Sequence, residues 1–450
     1  MLLASSLLTS GTHRLAQAFR SLRIDMSLRG LLVGLSILAL TFWTVIVVVA
    51  TAGVVADAHS KMERDETVVN DFPIFYAGAR GVTADDREHV YEAATIKETI
   101  LSLWVDRDSE TAQKMFPLFQ YLNPPFYLFA LSPLTQLDIE DAYLVTVAIN
   151  CGLLGLLLLL SGTILKWRQP ATLFFGLCSL GFMAVPTSVY NAHPSILLAV
   201  LLMSAFILAQ RGRTLIASLL VAFIAVKPQW ALATGVSLVR HTPRASLPLV
   251  IFGAALVFLP FVLLGADALV DYVRLLRARG SDDLSNPDFA RHALSWAGFL
   301  FAITGSTQAV ASTLLSVASV AVFAVIWRRG DPSLTWTASI LVVLIALPHS
   351  QPQDWILTVP AAAILLARPT TAPLRTWTAV LLSVGFAAAN STLVSREIVQ
   401  DGGTAVYFGT LMAATLLVWC AALPLLERWL RTSSEDLSAR APLSAPATFS

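Results

Sequence analysis

Long apolar runs recur from one end of the chain to the other, and few charged residues interrupt them. Only 13% of the 450 residues are Asp, Glu, Lys or Arg, against about 25% in a typical soluble domain. A chain with so little charge cannot cover a water-facing surface, whereas a run of about 20 apolar residues crosses a bilayer as a helix. The sequence therefore predicts an all-α polytopic membrane protein and excludes a soluble enzyme.

The apolar runs predict about twelve transmembrane helices, because a helix satisfies every backbone polar group inside the bilayer. The expected spans are 29–56, 139–165, 171–188, 194–210, 214–226, 229–239, 246–264, 307–327, 332–347, 355–367, 374–390 and 404–426. The first run is longer than the roughly 7–15 residues of a signal peptide's apolar region, which favours an uncleaved span. The runs 214–226 and 229–239 are each too short to cross about 30 Å of hydrocarbon. We expect them to form a broken pair joined at Lys227-Pro228.

The basic residues between the runs indicate the orientation of the chain. Lys and Arg concentrate in the short connections, such as Lys166 with Arg168 and Arg211 with Arg213. Cytoplasmic loops carry this excess of positive charge. The pattern predicts a plasma (inner) membrane protein with both termini in the cytoplasm and the longer connections, 57–123, 265–296, 349–354 and 390–403, outside. Within the first of these, residues 84–104 are predicted to form an interfacial helix that a capping box of Thr83 with Asp86 opens. The pattern divides the chain into a basic N-terminus (1–28), one integral membrane domain (29–432, with its first outer loop at 57–123) and a disordered tail (433–450).

Several functional classes find no support in the sequence. The three cysteines all lie in apolar runs, so neither a disulfide framework nor a zinc site is expected. No HExxH-like spacing indicates a metal, and we predict no cofactor. A net charge of +1 gives no reason to expect a nucleic acid partner.

Polar residues at the predicted outer ends of the helices are the candidates for chemistry, because ionisable groups in or near a bilayer are expensive and usually functional. Asp71 precedes an aromatic cluster of Phe72, Phe75 and Tyr76. Apolar neighbours would raise the pKa of this carboxyl and make it a better base. The alternative is an ordinary loop aspartate that caps the next helix.

The remaining candidates each have two interpretations. Lys227 could bind a phosphate as a compact positive charge, or its side chain could extend to the membrane interface. In LPHSQPQDW, His349 could donate to a phosphate and Asp354 could orient a lysine or histidine, or the segment could be a polar loop with a helix cap. His193 could contact substrate or be an ordinary loop residue at a helix start, and Arg291 could bind an anionic lipid head or be a solvated charge.

Six short motifs occur in a defined order along the chain. They are Asp71-Phe72 with Tyr76-Ala77-Gly78, then Tyr91, Asn123-Pro124-Pro125-Phe126, Asn191-Ala192-His193-Pro194-Ser195, Lys227-Pro228, and Pro348-His349 with Asp354. In this order and placement they resemble glycosyltransferase family 87 of the GT-C superfamily. Ala192-His193 replaces a Gly-Gln that is frequent in the family, and Asn123 replaces a common Tyr. Both departures bear on which sugar is accepted.

The resemblance implies a GT-C-type bundle that transfers a sugar, mannose or arabinose, from a polyprenyl-phosphate donor to a glycolipid or cell-envelope polysaccharide acceptor. Transfer would occur on the extracytoplasmic face of the lipid bilayer, with inversion. The resemblance makes Asp71 the general base. It assigns the donor phosphate to Lys227, His349, Arg80 and Arg291. The residues expected to contact substrate are Phe72, Tyr76, Asn123, Asn191, His193, Gln351 and Asp354.

Two other functions fit the same apolar bundle. A transporter or lipid flippase would use Lys227 and His349 as a substrate site at a broken helix. A scaffold protein would use its polar residues only for packing. The lack of a repeat between the two halves and the long first outer loop favour an enzyme.

Overall fold

The secondary structure is helical, as the apolar runs predict. The computed structural model describes residues 28–64, 66, 68, 70–103, 122–166, 171–285, 287, 290, 293–348, 350–398 and 408–440. Within these ranges the chain contains α-helices and short 3-10 helices and no strand. The all-α fold class is therefore confirmed for this part of the chain.

The α-helices are numbered here in chain order. They are α1 (Leu28–Glu63), α2 (Phe72–Gly81), α3 (Ala93–Leu101), α4 (Pro125–Leu131), α5 (Ile139–Leu165), α6 (Ala171–Leu180), α7 (Ala184–Tyr190), α8 (Ser195–Gln210), α9 (Thr214–Phe223), α10 (Pro228–His241), α11 (Ser246–Leu264), α12 (Ala266–Ser285), α13 (Trp296–Thr304), α14 (Ala309–Arg329), α15 (Pro332–Ala346), α16 (Thr358–Ala367), α17 (Ala372–Ile398) and α18 (Phe408–Arg440). A 3-10 helix at Pro352–Leu357, called the 352–357 turn below, precedes α16.

Six of the described helices are long and apolar enough to cross a membrane. These spans are Gly34–Glu63, Ile139–Leu165, Pro243–Leu264, Ala309–Arg329, Ala372–Ser391 and Gly409–Thr432. Helices α6 and α7 together form a seventh candidate, bent by 49°. Four shorter apolar helices accompany them. The protein is thus a multi-pass membrane protein, while the count of about twelve spans stays a prediction.

Three sequence predictions about the connecting segments need correction. The single interfacial helix expected over 84–104 is divided into a 3-10 helix at Arg87–His89 and α3. The Thr83 hydroxyl donates back to the carbonyl of Arg80 instead of capping this segment. The loop predicted at 265–296 contains the long helix α12. Helix α18 continues to Arg440, so the described part of the predicted disordered tail is helical, and residues 441–450 lie outside the described residues.

Helix α15 lies at the centre of the bundle. All its residues from Leu334 to Ile345 are buried, which is typical of a helix that is apolar on every side and surrounded by protein. It packs against α10, α14, α16 and α18. Helix α10, which begins next to Lys227, is therefore fixed against the most buried element of the fold.

An ion cluster around Arg368 joins the start of α15, the end of α16 and the middle of α18. Arg368 donates to Asp331 Oδ2 over 2.6 Å and to both carboxylate oxygens of Glu427 over 2.6 and 3.0 Å. Thr370 also donates to Glu427. Since the Arg368 side chain is only 8% exposed, the cluster satisfies a cation that would otherwise be costly to bury.

Candidate active site

Asp71 lies immediately before α2, and its side chain does not cap that helix. The neighbouring Asn70 accepts from the backbone N–H of Phe72 over 3.3 Å and donates to the carbonyl of Tyr190 over 3.2 Å. The Asp71 carboxylate instead accepts a hydrogen bond from Gln353 Nε2, with 3.0 Å between the two atoms. This long-range contact weakens the interpretation of Asp71 as a local helix cap.

The environment of Asp71 favours a base that works near neutral pH. Burial is the main cause that raises the pKa of its carboxyl to about 6, and the negative charge of Asp354 adds to this effect, while the positive charge of Lys227 opposes it. A base is most effective when its pKa lies close to the operating pH. The geometry and the pKa together fit a residue that accepts a proton at neutral pH.

Lys227 lies at a break between two short helices, as the sequence predicts. A 3-10 helix at Ile224–Val226 ends just before it. Its own backbone is extended, with φ −124° and ψ 94°, and Pro228 starts α10. A proline disfavours helical backbone in the residue before it, which explains why the chain breaks here.

The Lys227 side chain forms an ion pair with Asp354. Nζ lies 2.5 Å from Asp354 Oδ1, and the two side chains are 13% and 3% exposed. Ser195 Oγ donates to the same carboxylate oxygen over 2.8 Å, and the backbone N–H of Gln351 donates to Oδ2 over 3.3 Å. Each carboxylate oxygen of this buried group therefore has a partner, and the predicted role of Asp354 in orienting Lys227 agrees with the geometry.

The 352–357 turn brings these two parts of the site together. Gln353 contacts Asp71 and the next residue, Asp354, contacts Lys227. Consecutive residues are only about 3.8 Å apart along the backbone. The carboxylate predicted to act as a base and the cation predicted to bind phosphate therefore contact consecutive residues of the 352–357 turn.

His193 borders the same cluster. Its Nδ1 lies 2.8 Å from Ser195 Oγ, and its ring centroid lies 5.7 Å from that of Phe75. Burial and the positive charge of Lys227 lower the pKa of the imidazole, so the ring is neutral at pH 7. The turn before it is strained, because Ala192 adopts φ +47°, a region that favours glycine.

Other predicted site residues lie outside this cluster. Phe72 is buried against Tyr76 and Tyr143, and the Tyr76 hydroxyl donates to the carbonyl of Leu137. These contacts are packing contacts. Arg80 is exposed at the end of α2, about 13 Å of helical rise from Asp71.

The last group of predicted residues contributes less to the described site. Asn191 ends α7, and Asn123 has a buried Nδ2 without a hydrogen-bond partner. His349 and Arg291 lie outside the described residues.

The sequence profile of glycosyltransferase family 87 matches residues 121–350, slightly more than half of the chain. The chain belongs to glycosyltransferase family 87. Together with the membrane-spanning helices, this shows that the protein is a membrane glycosyltransferase. No curated protein and no solved structure matches it.

The family 87 match and the candidate site overlap only in part. The matched segment contains His193, Ser195 and Lys227, but it starts after Asp71 and ends before Asp354. Folding brings Asp354 onto the matched segment through its bonds with Ser195 and Lys227, and Asp71 joins the site through Gln353, which follows the match. The site of this family 87 enzyme therefore draws on chain both before and after the matched region.

Sequence reasoning did not assign a role to Gln353 or Ser195, which the structure places in the site. Ser195 opens α8 and looks like an ordinary residue at a helix start. Gln353 stands beside Asp354 in the PQDW segment, and its place next to a predicted site residue is the sequence feature that points to it. In the described ranges no three His, Cys, Asp or Glu side chains come close enough together to hold a metal ion.

Proposed function

We propose that this enzyme transfers a sugar, mannose or arabinose, from a polyprenyl-phosphate donor to a glycolipid or cell-envelope polysaccharide on the extracytoplasmic face of the membrane. Asp71 acts as general base and Lys227 binds the donor phosphate. The observation that carries the proposal is the placement of the Asp71 carboxylate, with its raised pKa, beside the buried Lys227–Asp354 ion pair.

The proposed reaction is a single displacement. The acceptor hydroxyl gives its proton to Asp71 as its oxygen attacks the anomeric carbon, and the bond from that carbon to the phosphate oxygen breaks. The electron pair of this bond leaves with the polyprenyl phosphate. A hydroxyl is a weak nucleophile at neutral pH, and a positioned base contributes typically 10²–10⁴-fold to the rate. One displacement inverts the anomeric centre, and the phosphate leaves without a proton from an acid.

Lys227 can stabilise the leaving phosphate without losing its contact with Asp354. An ammonium group has three N–H donors, and one of them is directed at Asp354 Oδ1. The other two are available to phosphate oxygens, where negative charge develops in the transition state. His349 and Arg291 are proposed to act on the same phosphate, but they lie outside the described residues.

An apolar cavity beside the 352–357 turn supports a lipid-linked donor. It has a volume of about 580 Å³ and runs from Trp355, the residue after Asp354, to Leu366 on α16. This path corresponds to about 16 Å at the rise of an α-helix. Its walls are almost entirely apolar, with Phe182, Phe386 and Leu416 among them, so hydrocarbon chains suit it better than polar ligands.

Turnover of defined donors tests the proposal. The purified enzyme is incubated with radiolabelled mannosyl-phosphoryl or arabinosyl-phosphoryl polyprenol and a cell-envelope lipid extract. We expect labelled product from one donor with the unmodified protein, and a loss of at least 100-fold with Asp71→Asn. No product from either donor with folded protein would contradict the proposed donor class. Full activity of the Asp71→Asn protein would contradict the role of Asp71.

A transport assay separates the enzyme from the flippase alternative. The unmodified protein is reconstituted in vesicles that contain the labelled donor lipid but no acceptor. Movement of the donor between leaflets without any new glycosidic bond, even after acceptor is added, would favour the transporter. The family assignment favours the enzyme.

A further inference from the structure

Gln353 is a buried glutamine with a fixed backbone. The residue is 7% exposed, and its carbonyl oxygen accepts from Ser188 Oγ over 3.1 Å. The 352–357 turn that carries it packs against α7, α8, α15 and α16. The position from which its side chain starts is therefore determined by four helices.

The side chain reaches from this fixed point to the proposed base. Gln353 Nε2 lies 3.0 Å from Asp71 Oδ2. A donor on Oδ2 restricts the rotation of the carboxylate and leaves Oδ1 to accept a proton. Asp71 needs such a restraint, because it lies in the loop before α2 and its side chain makes no capping hydrogen bond to that helix.

We infer that Gln353 is a positioning residue, which holds the Asp71 carboxylate in the orientation that accepts a proton from the acceptor hydroxyl. The inference rests on the proposed role of Asp71 as general base. The 352–357 turn then has two roles in the reaction. Gln353 positions the proposed base, and Asp354 holds the lysine proposed to bind the donor phosphate.

The amide has an electrostatic effect that distinguishes positioning from packing. A hydrogen bond donated to a carboxylate favours the ionised form and lowers its pKa. The charged groups that act on Asp71 from the neighbouring elements are Lys227, before α10, and Asp354, in the turn. A substitution that removes only the amide donor leaves both charges in place. The pKa of Asp71 should then rise above about 6.

The pH dependence of turnover tests this inference with two substitutions. Gln353→Met keeps the length of the side chain and removes the donor, while Gln353→Glu keeps the shape and adds a negative charge. We expect Gln353→Met to move the acid limb of kcat/KM from about pH 6 to about pH 7, the shift given by losing a hydrogen bond to a charged group. Gln353→Glu should move it further. Gln308→Met is the matched control, since this glutamine donates to Ser306 at the start of α14, and its profile should not change.

A second measurement does not depend on turnover. The apparent Tm of Gln353→Met is compared with that of the Asp71→Asn/Gln353→Met double variant between pH 4 and pH 8. The difference between them reports the ionisation of Asp71, and we expect it to keep changing up to about pH 7 instead of about pH 6.

Four outcomes would be decisive. An acid limb and a Tm difference that both stay near pH 6 in Gln353→Met would overturn the inference, even if activity falls equally at every pH. Movement of both would support it. Loss of activity in Asp71→Asn together with an unmoved limb in Gln353→Met would leave the proposed function intact. An active Asp71→Asn protein would remove the proposed function itself.

Discussion

Replacing Asp71 by asparagine should make the protein more stable while it abolishes turnover. The pKa of the carboxyl rises from an ordinary 3.8 to about 6 in the folded chain, mainly through burial. A pKa difference of one corresponds to about 1.4 kcal/mol. At pH 7 the ionised carboxylate therefore costs the folded state up to about 3 kcal/mol. Because Asp71 is only partly buried, we expect asparagine to recover about 1–3 kcal/mol.

The sign of the pH dependence follows from the same values. Between pH 3.8 and about pH 6 the folded protein holds the Asp71 proton more tightly than the unfolded chain does. Stability contributed by the protonated group is present below this window and is lost as the pH rises through it. The stability difference between Asp71→Asn and the unmodified protein should thus grow from pH 4 to pH 6 and stay constant above pH 6.

The assay is thermal unfolding of both proteins in the same detergent at a fixed scan rate, since unfolding of large membrane proteins is often irreversible. We expect the apparent Tm of Asp71→Asn to be about 2–5 °C higher at pH 7, with turnover reduced at least 100-fold. A lower Tm for Asp71→Asn at pH 7 would show that the ionised carboxylate stabilises the fold, and the reasoning from burial would be wrong.

Three further predictions concern Lys227, Arg368 and the titration of Asp71. Lys227→Met leaves the buried Asp354 without its cation and should cost about 3–5 kcal/mol. Adding Asp354→Asn should restore most of this stability but no turnover, as paired Tm and activity measurements will show. Arg368→Leu removes the ion-pair partner of Asp331 and Glu427 and should lower the free energy of unfolding by about 3 kcal/mol. Turnover per folded molecule should stay unchanged, and a change in turnover would link this cluster to catalysis. Finally, kcat/KM of the unmodified enzyme should fall about tenfold per pH unit below pH 6 as the base becomes protonated, and a flat profile down to pH 5 would contradict the raised pKa.

Features governed by local rules could be predicted from the sequence. The span at 139–165 has the bounds of α5, because a bilayer forces an uninterrupted apolar run into a helix. The break at Lys227-Pro228 follows from the steric effect of proline on the residue before it. The split of the run 171–188 into α6 and α7 was not expected, and no proline or charge marks the bend after Leu180.

The contacts that define the candidate site could be predicted only in part. Asp71 and Lys227 were identified because a charged group near a membrane is costly. Their partners Gln353 and Ser195 were not assigned roles, since the hydrogen bond from Gln353 to Asp71 spans 282 positions in the chain and leaves no periodicity in the sequence. The substrate contact that the resemblance implies for Phe72 stays a prediction, since the structure shows its ring packed in a buried aromatic group.

The 352–357 turn has a consequence for how this enzyme can change. Gln353 and Asp354 are neighbours in one backbone segment, so any shift of that segment moves the hydrogen bond to Asp71 and the ion pair with Lys227 together. Under the proposed function, mutations that displace the turn cannot change proton acceptance without also changing phosphate binding. Adaptation to a new acceptor or donor must therefore come from residues that face the turn, while the turn itself stays in place.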